Sequence, residues 1–498
     1  MLKVAFLLTI GMLFLFALSG AIPSGLHDES FSGPPPQVRL SPQALGEIKQ
    51  LEARIDNTEA YALADLDASP DHARRVALLG KLLLFDKNLS VNRNEACAFC
   101  HMPETGFGAP LSTLNTTTVS YPGSVRTRFS NRMPQAHAYA TYSPVLHYNA
   151  LQGDFVGGSF WDMRATGIRL NNPVAQQAQG PPTNPVEMGL IDSACVVYRV
   201  SRRPYRGLAE KVWGVEAFAI QFPKNIEQVC NVPGSAPASD PLPVHLSTLD
   251  RGSSNRTFDQ IAEAIATFES SSEVNQFSSK YDYVMAGKAQ FTPDEKAGYT
   301  LFRSSATHCN ECHRDGGPGE EPLFTDFTAS NLGLPRNPAI PFYYENRPDE
   351  FGYAANPSGL DWVDTGVGGF LLNAPRLSGE PNPNAAWTKL ASSSFGRFKV
   401  PTLRDVDKRP SPGFVRAYMH NGYLKSLKEV VHFYNTRDSL PTCKAGAPGE
   451  KVTCWPTPEY PQSMNRRQLG NLGLTDKQED QIVSFLKALT DGYAPPSK

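Results

Sequence analysis

Beyond residue 21 the 498-residue chain has no apolar run long enough to cross a bilayer, so the mature protein is expected to be soluble, with no membrane span. It also has almost no charge imbalance. With 47 Lys and Arg against 49 Asp and Glu, the net charge of -2 gives no electrostatic reason to expect nucleic acid as a partner. Cysteine is scarce, eight in all, and four of the eight fall in one repeated pattern. The one long apolar run, Val4 to Leu18, follows Lys3 and ends in the small residues Ser19, Gly20 and Ala21. That arrangement reads as a secretory signal peptide over 1–21; the run is short for a retained anchor and lacks a basic stop.

The repeated pattern is Cys97-Ala98-Phe99-Cys100-His101 and Cys309-Asn310-Glu311-Cys312-His313. Random placement of 8 Cys and 10 His gives roughly 0.003 such pentapeptides in a chain of this length, so two copies are a built feature. C-x-x-C-H is the attachment signature of c-type haem: two thiols form thioethers to the porphyrin vinyls, and the adjacent imidazole sits under the iron. A thioredoxin-like pair or half of a zinc site needs no His directly after the second Cys. Two covalent haem c groups are therefore expected, held by Cys97, Cys100 and His101 and by Cys309, Cys312 and His313.

Four cysteines remain. An even number in an exported chain, paired by proximity in sequence, predicts bridges Cys195 to Cys230 and Cys443 to Cys454, four buried free thiols being the alternative. Covalent haem with a signal peptide points to a bacterial periplasm.

After a Pro/Gly/Ser-rich linker over 22–40, Ser41-Pro42 starts a helix through Leu45, Ile48 and Leu51. A second helix, carrying Val76, Leu79, Leu82 and Leu83, leads to the first haem motif. Long loops are expected from Gly106 to Gly158, loop and short helix from Phe160 to Gly189, and a Pro-rich stretch from Ile191 to Arg256 before helix returns at Ile261. Thr292-Pro293-Asp294-Glu295 is a capping box opening the helix before the second motif, a partial repeat of the first half. Arg314 to Phe395 is again loop. Helix resumes at Leu427, Val430, Val431 and Tyr434, and Thr475 with Gln478 caps a last one. The expected fold is mainly α, two c-type cytochrome haem domains with long loops: an N-terminal domain over 41–275 and a C-terminal one over 276–498.

Several segments in order, Leu79-Gly80-Lys81-Leu82-Leu83-Leu84-Phe85-Asp86, Phe160-Trp161-Asp162-Met163-Arg164-Ala165, Asn184-Pro185-Val186-Glu187-Met188, Val400-Pro401-Thr402-Leu403-Arg404 and Tyr418-Met419-His420-Asn421-Gly422, resemble the di-haem cytochrome c peroxidase family over about residues 70 to 490. The details look more like its MauG-type branch. The resemblance implies that the first haem meets peroxide, with Glu187 as distal acid and base, Gln177 orienting the ligand and Pro181 in the same pocket wall. In other members a His can cap this iron. The corresponding stretch Gly123 to Asn131 holds Arg126 and Arg128 but no His, while His137 and His147 fall beyond the turn and read as loop or packing residues.

Trp161 takes the family's place between the haems, with Met163 where Gly is common. Classed by the resemblance, Tyr434 stands fourteen residues after His420, where MauG-type enzymes carry Tyr and others Met, and would bind the second iron opposite His313. The plain reading of Tyr434 is one more member of the apolar stripe of its helix, and Met419 is the other candidate ligand. The family also implies a calcium between the haems, for which Asn131 is a candidate ligand, although no acidic loop announces it.

The function expected is a periplasmic di-haem c peroxidase that reduces hydrogen peroxide through a high-valent state shared between two haems. Its electrons would come from a small cytochrome c or cupredoxin, or from a protein substrate. The alternative is an electron-transfer cytochrome with both irons six-coordinate.

Overall fold

The computed structural model describes residues 40–66, 71–235, 242–317, 319–373 and 385–495. The expected signal peptide, and the linker up to residue 39, lie outside them. The first helix spans Pro42–Ala64, with Ser41 Oγ accepting from the Ala44 amide at 3.1 Å and Pro42 in its first turn. Its buried stripe of Ile48, Leu51 and Ile55 packs on the His72–Phe85 helix, which buries Leu79, Leu82, Leu83 and Phe85. Asp71 caps that helix, and buried Asp86 ends it, accepting from Arg203 at 2.7 Å and Tyr205 at 2.6 Å.

Each half is anchored by a close helix crossing that only glycine permits. A Cβ on Gly80 would lie 1.9 Å from the Ala264 carbonyl oxygen of the Thr248–Glu269 helix. A Cβ on Gly298, in the Pro293–Phe302 helix, would lie 1.9 Å from the Gln481 carbonyl oxygen of the Asp476–Lys487 helix. In both halves, then, the helix before the Cys-x-x-Cys-His turn crosses a helix nearer the end of its half with backbones in contact, and Phe268 and Phe485 take corresponding places beside the two glycines. Gly298→Ala is expected to destabilise the protein by about 1–3 kcal/mol, because backbone rather than a side-chain tip must move. Gly46→Ala has open space around its Cβ in a helix interior and is expected to stabilise by about 0.5–1 kcal/mol. Thermal melting of the two variants checks the opposite signs.

One apolar core draws on residues between Ala44 and Val274, joined by Ile340, Tyr343 and Ala417; a second draws on residues between Tyr281 and Leu489. A small third core gathers Leu146, Phe155, Met163, Val367 and Leu371. The capping boxes at Thr292 and Thr475 form as expected. Sheet is confined to paired short strands, such as the antiparallel 147–149 with 154–156.

The stretch from Ile191 to Arg256 is more helical than its prolines suggest: helices span Ser193–Val200, Arg206–Trp213 and Ile226–Cys230. The helix expected to return at Ile261 begins at Thr248. Its first half is polar and carries Gly252, yet Ser247 caps it, Ser254 and Thr257 are buried, and Thr257 Oγ1 donates to the Ala217 carbonyl at 2.7 Å. Tertiary contacts override weak propensity there.

The two disulfides are Cys195–Cys230 and Cys443–Cys454, as the sequence predicts. The first joins the Ser193–Val200 helix to the end of Ile226–Cys230 across 35 residues. Removing it by Cys195→Ser with Cys230→Ser is expected to cost about 3–4 kcal/mol by loop-closure entropy, read from denaturant unfolding under non-reducing conditions.

Candidate active site

Both haem motifs are short helical turns, Cys97–Phe99 and Cys309–Cys312. Such a turn brings both sulfurs to one side and delivers the following His beyond its end. His101 Nδ1 meets the Phe107 carbonyl at 3.0 Å, and His313 Nδ1 meets the Phe324 carbonyl at 3.0 Å. Donation to a carbonyl fixes the Nδ1–H tautomer and leaves Nε2 as the lone-pair nitrogen, the arrangement of a metal-binding imidazole. Burial lowers the pKa of both rings, which keeps them neutral. The four motif cysteines are unbridged, and burial pushes Cys97 and Cys312 up to about 12 and Cys309 up to about 11.

One cavity runs past both motifs, and its wall includes Cys100, His101, Cys309, Cys312, His313 and Tyr434. A continuous, largely apolar cavity with free thiols and an oriented imidazole at each end fits two haem groups. When bound, His101 and His313 would hold the irons and the thiols would hold the rings.

Around the first motif the cavity wall carries Gln177, Pro181 and Glu187. Gln177 is buried near the end of the Pro173–Ala178 helix, which Asn172 caps through the Val174 and Ala175 amides. Glu187 follows a turn set by Asn184, whose side-chain amide donates to Glu187 Oε1 at 2.7 Å. Burial raises the Glu187 pKa, while Arg164 and Asn184 draw it back. A second acid, Glu95, lines the same cavity and was not anticipated. Its carboxyl is pushed up to about 8 by burial, against the pull of Arg126 and with a push from Glu187. Its place two residues before Cys97 was the only hint in the sequence.

Arg126 and Arg128 are both engaged. Arg126 bonds Glu52 at 2.9 Å and the Asn94 carbonyl at 2.9 Å, and Arg128 bonds Asp349 at 2.7 Å and the Gly234 carbonyl at 2.6 Å. His137 lies against His101 with ring centroids 3.5 Å apart and planes 21° from parallel. The His137 ring is thus packed on the His101 imidazole. His137 Nδ1 also stands 2.8 Å from buried Glu269, without the alignment of a hydrogen bond. His147 is exposed on a strand.

Trp161 lines the cavity, its indole Nε1 donating to the Met133 carbonyl at 2.9 Å and its own carbonyl accepting from the Lys399 amide at 2.8 Å. The turn that presents it closes from the Met163 amide to the Phe160 carbonyl. Met163 has φ +61°, which explains why Gly suits that place, and its side chain repays the left-handed backbone by full burial in the third core. Next to Trp161, Asp162 pairs with Arg132 at 2.7 Å, and Arg132 pairs with buried Asp364 at 2.7 Å.

At the second motif, Leu427, Val430, Val431 and Tyr434 of the Leu427–Thr436 helix all face the cavity. The apolar stripe and the ligand position are thus one surface. Burial raises the Tyr434 pKa first, and the neighbouring Cys312 and Cys309 thiols add to it. Met419 lines the cavity as well, from a turn with φ +74°. His420 stacks on Phe398 at 3.5 Å, and burial lowers it to about 3. Asn131 is also in the cavity wall.

A helix-rich chain with two such imidazoles opening on one largely apolar cavity fits a di-haem redox enzyme. A family model described as di-haem cytochrome c peroxidase matches residues 74–290. The chain is 33% identical over 430 residues to methylamine utilization protein MauG of Paracoccus denitrificans (strain Pd 1222), spanning 84% of this chain and 90% of that one. It is 24% identical to cytochrome-c peroxidase IdrP1 of Denitromonas iodatirespirans, over 85% and 83% of the two chains. Among solved structures, the diheme peroxidase BthA from Burkholderia thailandensis E264 superposes with a TM-score of 0.61 at 26% identity, over 85% of this chain and 87% of that one. The chain belongs to the di-haem cytochrome c peroxidase family and is an oxidoreductase, a peroxidase that uses two haem groups.

Proposed function

We propose that this chain is a periplasmic di-haem c peroxidase of the MauG-like kind, with a peroxide-reactive centre over 41–275 and a Tyr-ligated centre over 276–498. The observation that carries the reading is the cavity wall: Glu187 and Glu95 act on the Cys97 and Cys100 thiols of the first motif, and Tyr434 lies beside Cys309 and Cys312 of the second. When bound, the two haems supply the redox chemistry, holding the two oxidising equivalents of peroxide in a shared high-valent state. Glu187 takes a proton from the near oxygen of peroxide and returns it to the far one, so that water leaves. Asn184 orients the carboxylate for both steps, and Gln177 positions the peroxide. Trp161 lies between the two centres as a polarisable bridge. Tyr434 and His313 would together hold the second iron when haem is bound, leaving it less accessible to peroxide. Asn131, in the cavity wall, would supply an oxygen ligand to a calcium ion if one is bound.

The outside reductant is a small cytochrome c or cupredoxin, or an oxidisable residue on a partner protein. Turnover of peroxide with a reduced c-type cytochrome tests the reading, and a protein that binds two haems yet leaves peroxide intact would contradict it. The rate should also depend on pH in a stated direction. Glu187 acts as base only when ionised, and burial raises its pKa above the usual 4.5, so the rate of reaction with peroxide should fall as pH drops, with a midpoint above 4.5. Stopped-flow measurement across pH checks this; Glu187→Gln should lack that limb.

A further inference from the structure

An aromatic cluster that the mechanism above does not use leads from the cavity toward solvent. Tyr139 lines the cavity and is buried, and its hydroxyl donates to Asp491 Oδ2 at 2.5 Å while accepting from the Phe277 amide at 2.8 Å. Asp491 is itself buried, its other oxygen accepting from the Ser278 amide at 2.8 Å and lying 3.3 Å from Arg404. The Tyr139 ring meets Phe277 edge-on at 4.9 Å, Phe277 meets Tyr142 at 5.8 Å, and the two tyrosine rings are stacked at 6.4 Å. Tyr142 is 40% exposed. The Arg404 guanidinium lies 4.7 Å from both the Tyr139 and Phe277 ring centres. A phenol gives up an electron readily only if its proton has somewhere to go, and a buried carboxylate on a short hydrogen bond provides that place.

We infer that Tyr139 and Tyr142, with Phe277 packed between them, form the path by which electrons from a surface reductant reach the peroxide-oxidised enzyme, Asp491 holding the Tyr139 proton in transit. The inference rests on the peroxidase reading. In the step, the Tyr139 O–H bond breaks: the electron passes to the oxidised haem pair, the proton passes to Asp491 Oδ2, and a neutral phenoxyl radical remains. Tyr142 then gives one electron to Tyr139 and its own proton to solvent, while Asp491 returns the first proton. An outside one-electron donor, with a proton from solvent, restores Tyr142. Two such passages supply the two electrons that one peroxide consumes.

With donor withheld, the last oxidisable group on the path should be caught at the surface. The holoprotein is treated with stoichiometric hydrogen peroxide and the spin trap DMPO, then digested and mapped by mass spectrometry. The expected result is a DMPO adduct on Tyr142 that falls at least tenfold in Tyr139→Phe, which keeps the ring but removes the proton donor. The Tyr142→Phe variant, altered only near the surface, should lose that adduct while its EPR spectrum, frozen after peroxide, shows a tyrosyl radical on buried Tyr139. The optical change on adding peroxide, recorded in each sample, should match the parent's in both variants; its loss in the parent would count against the peroxidase reading instead. An undiminished Tyr142 adduct in Tyr139→Phe, or adducts only at other residues of a parent that has reacted with peroxide, would overturn the path.

Discussion

Replacing Tyr434 by Met is expected to raise the reduction potential of the second haem and to abolish the oxidised state that both haems share. A phenolate is a hard, anionic ligand that favours ferric and more oxidised iron, whereas a thioether favours ferrous iron. The Tyr434 side chain faces the cavity beside Cys309 and Cys312, in a stripe with Leu427, Val430 and Val431. In the protein alone, burial raises its pKa, so the anionic form depends on the iron's positive charge. Folding should change little, because Met fills similar apolar space and the helix keeps its Ser426 cap. Potentiometric titration of the parent and Tyr434→Met, with spectra after peroxide, checks the prediction. A variant with the parent's ferric spectrum and the same oxidised species would make Tyr434 a packing residue and turn attention to Met419.

The second large effect is expected at Glu187. Glu187→Gln keeps the size and the bond to Asn184 but removes the base, so reaction with peroxide should slow by roughly 100-fold or more. Glu95 lines the same cavity, but its carboxylate is engaged by Arg126 at 3.4 Å, and burial pushes its carboxyl up to about 8. Stopped-flow traces at fixed pH read the rate directly, and a variant reacting as fast as the parent would remove Glu187 from the mechanism. Glu95→Gln serves as the control, with a much smaller effect expected.

The local signals carried most of the architecture. Caps at Ser41, Thr292 and Thr475 and the two haem turns follow from neighbours within a few residues, and the cysteine pairing from the even count left over, which is why they were legible. What was hidden depends on contacts far apart in sequence. The polar start of the Thr248–Glu269 helix is held by Ala217, and the Ser193–Val200 helix is fixed by Asp192 pairing with Arg251 at 2.8 Å. The glycine crossings at Gly80 and Gly298 became meaningful only once Ala264 and Gln481 were seen against them. In the site, the motif residues His101, Glu187 and Tyr434 could be named from pattern, but Glu95 could not. Nor could the stacking of His137 on His101.

The central claim is that the two irons differ, the first open to peroxide and the second closed by Tyr434. An EPR and optical spectrum of the ferric protein as isolated, before and after one equivalent of hydrogen peroxide, tests it most directly. One high-spin and one low-spin ferric haem are expected, with both signals lost after peroxide. Two low-spin haems unchanged by peroxide would contradict it and mark the protein as an electron-transfer cytochrome.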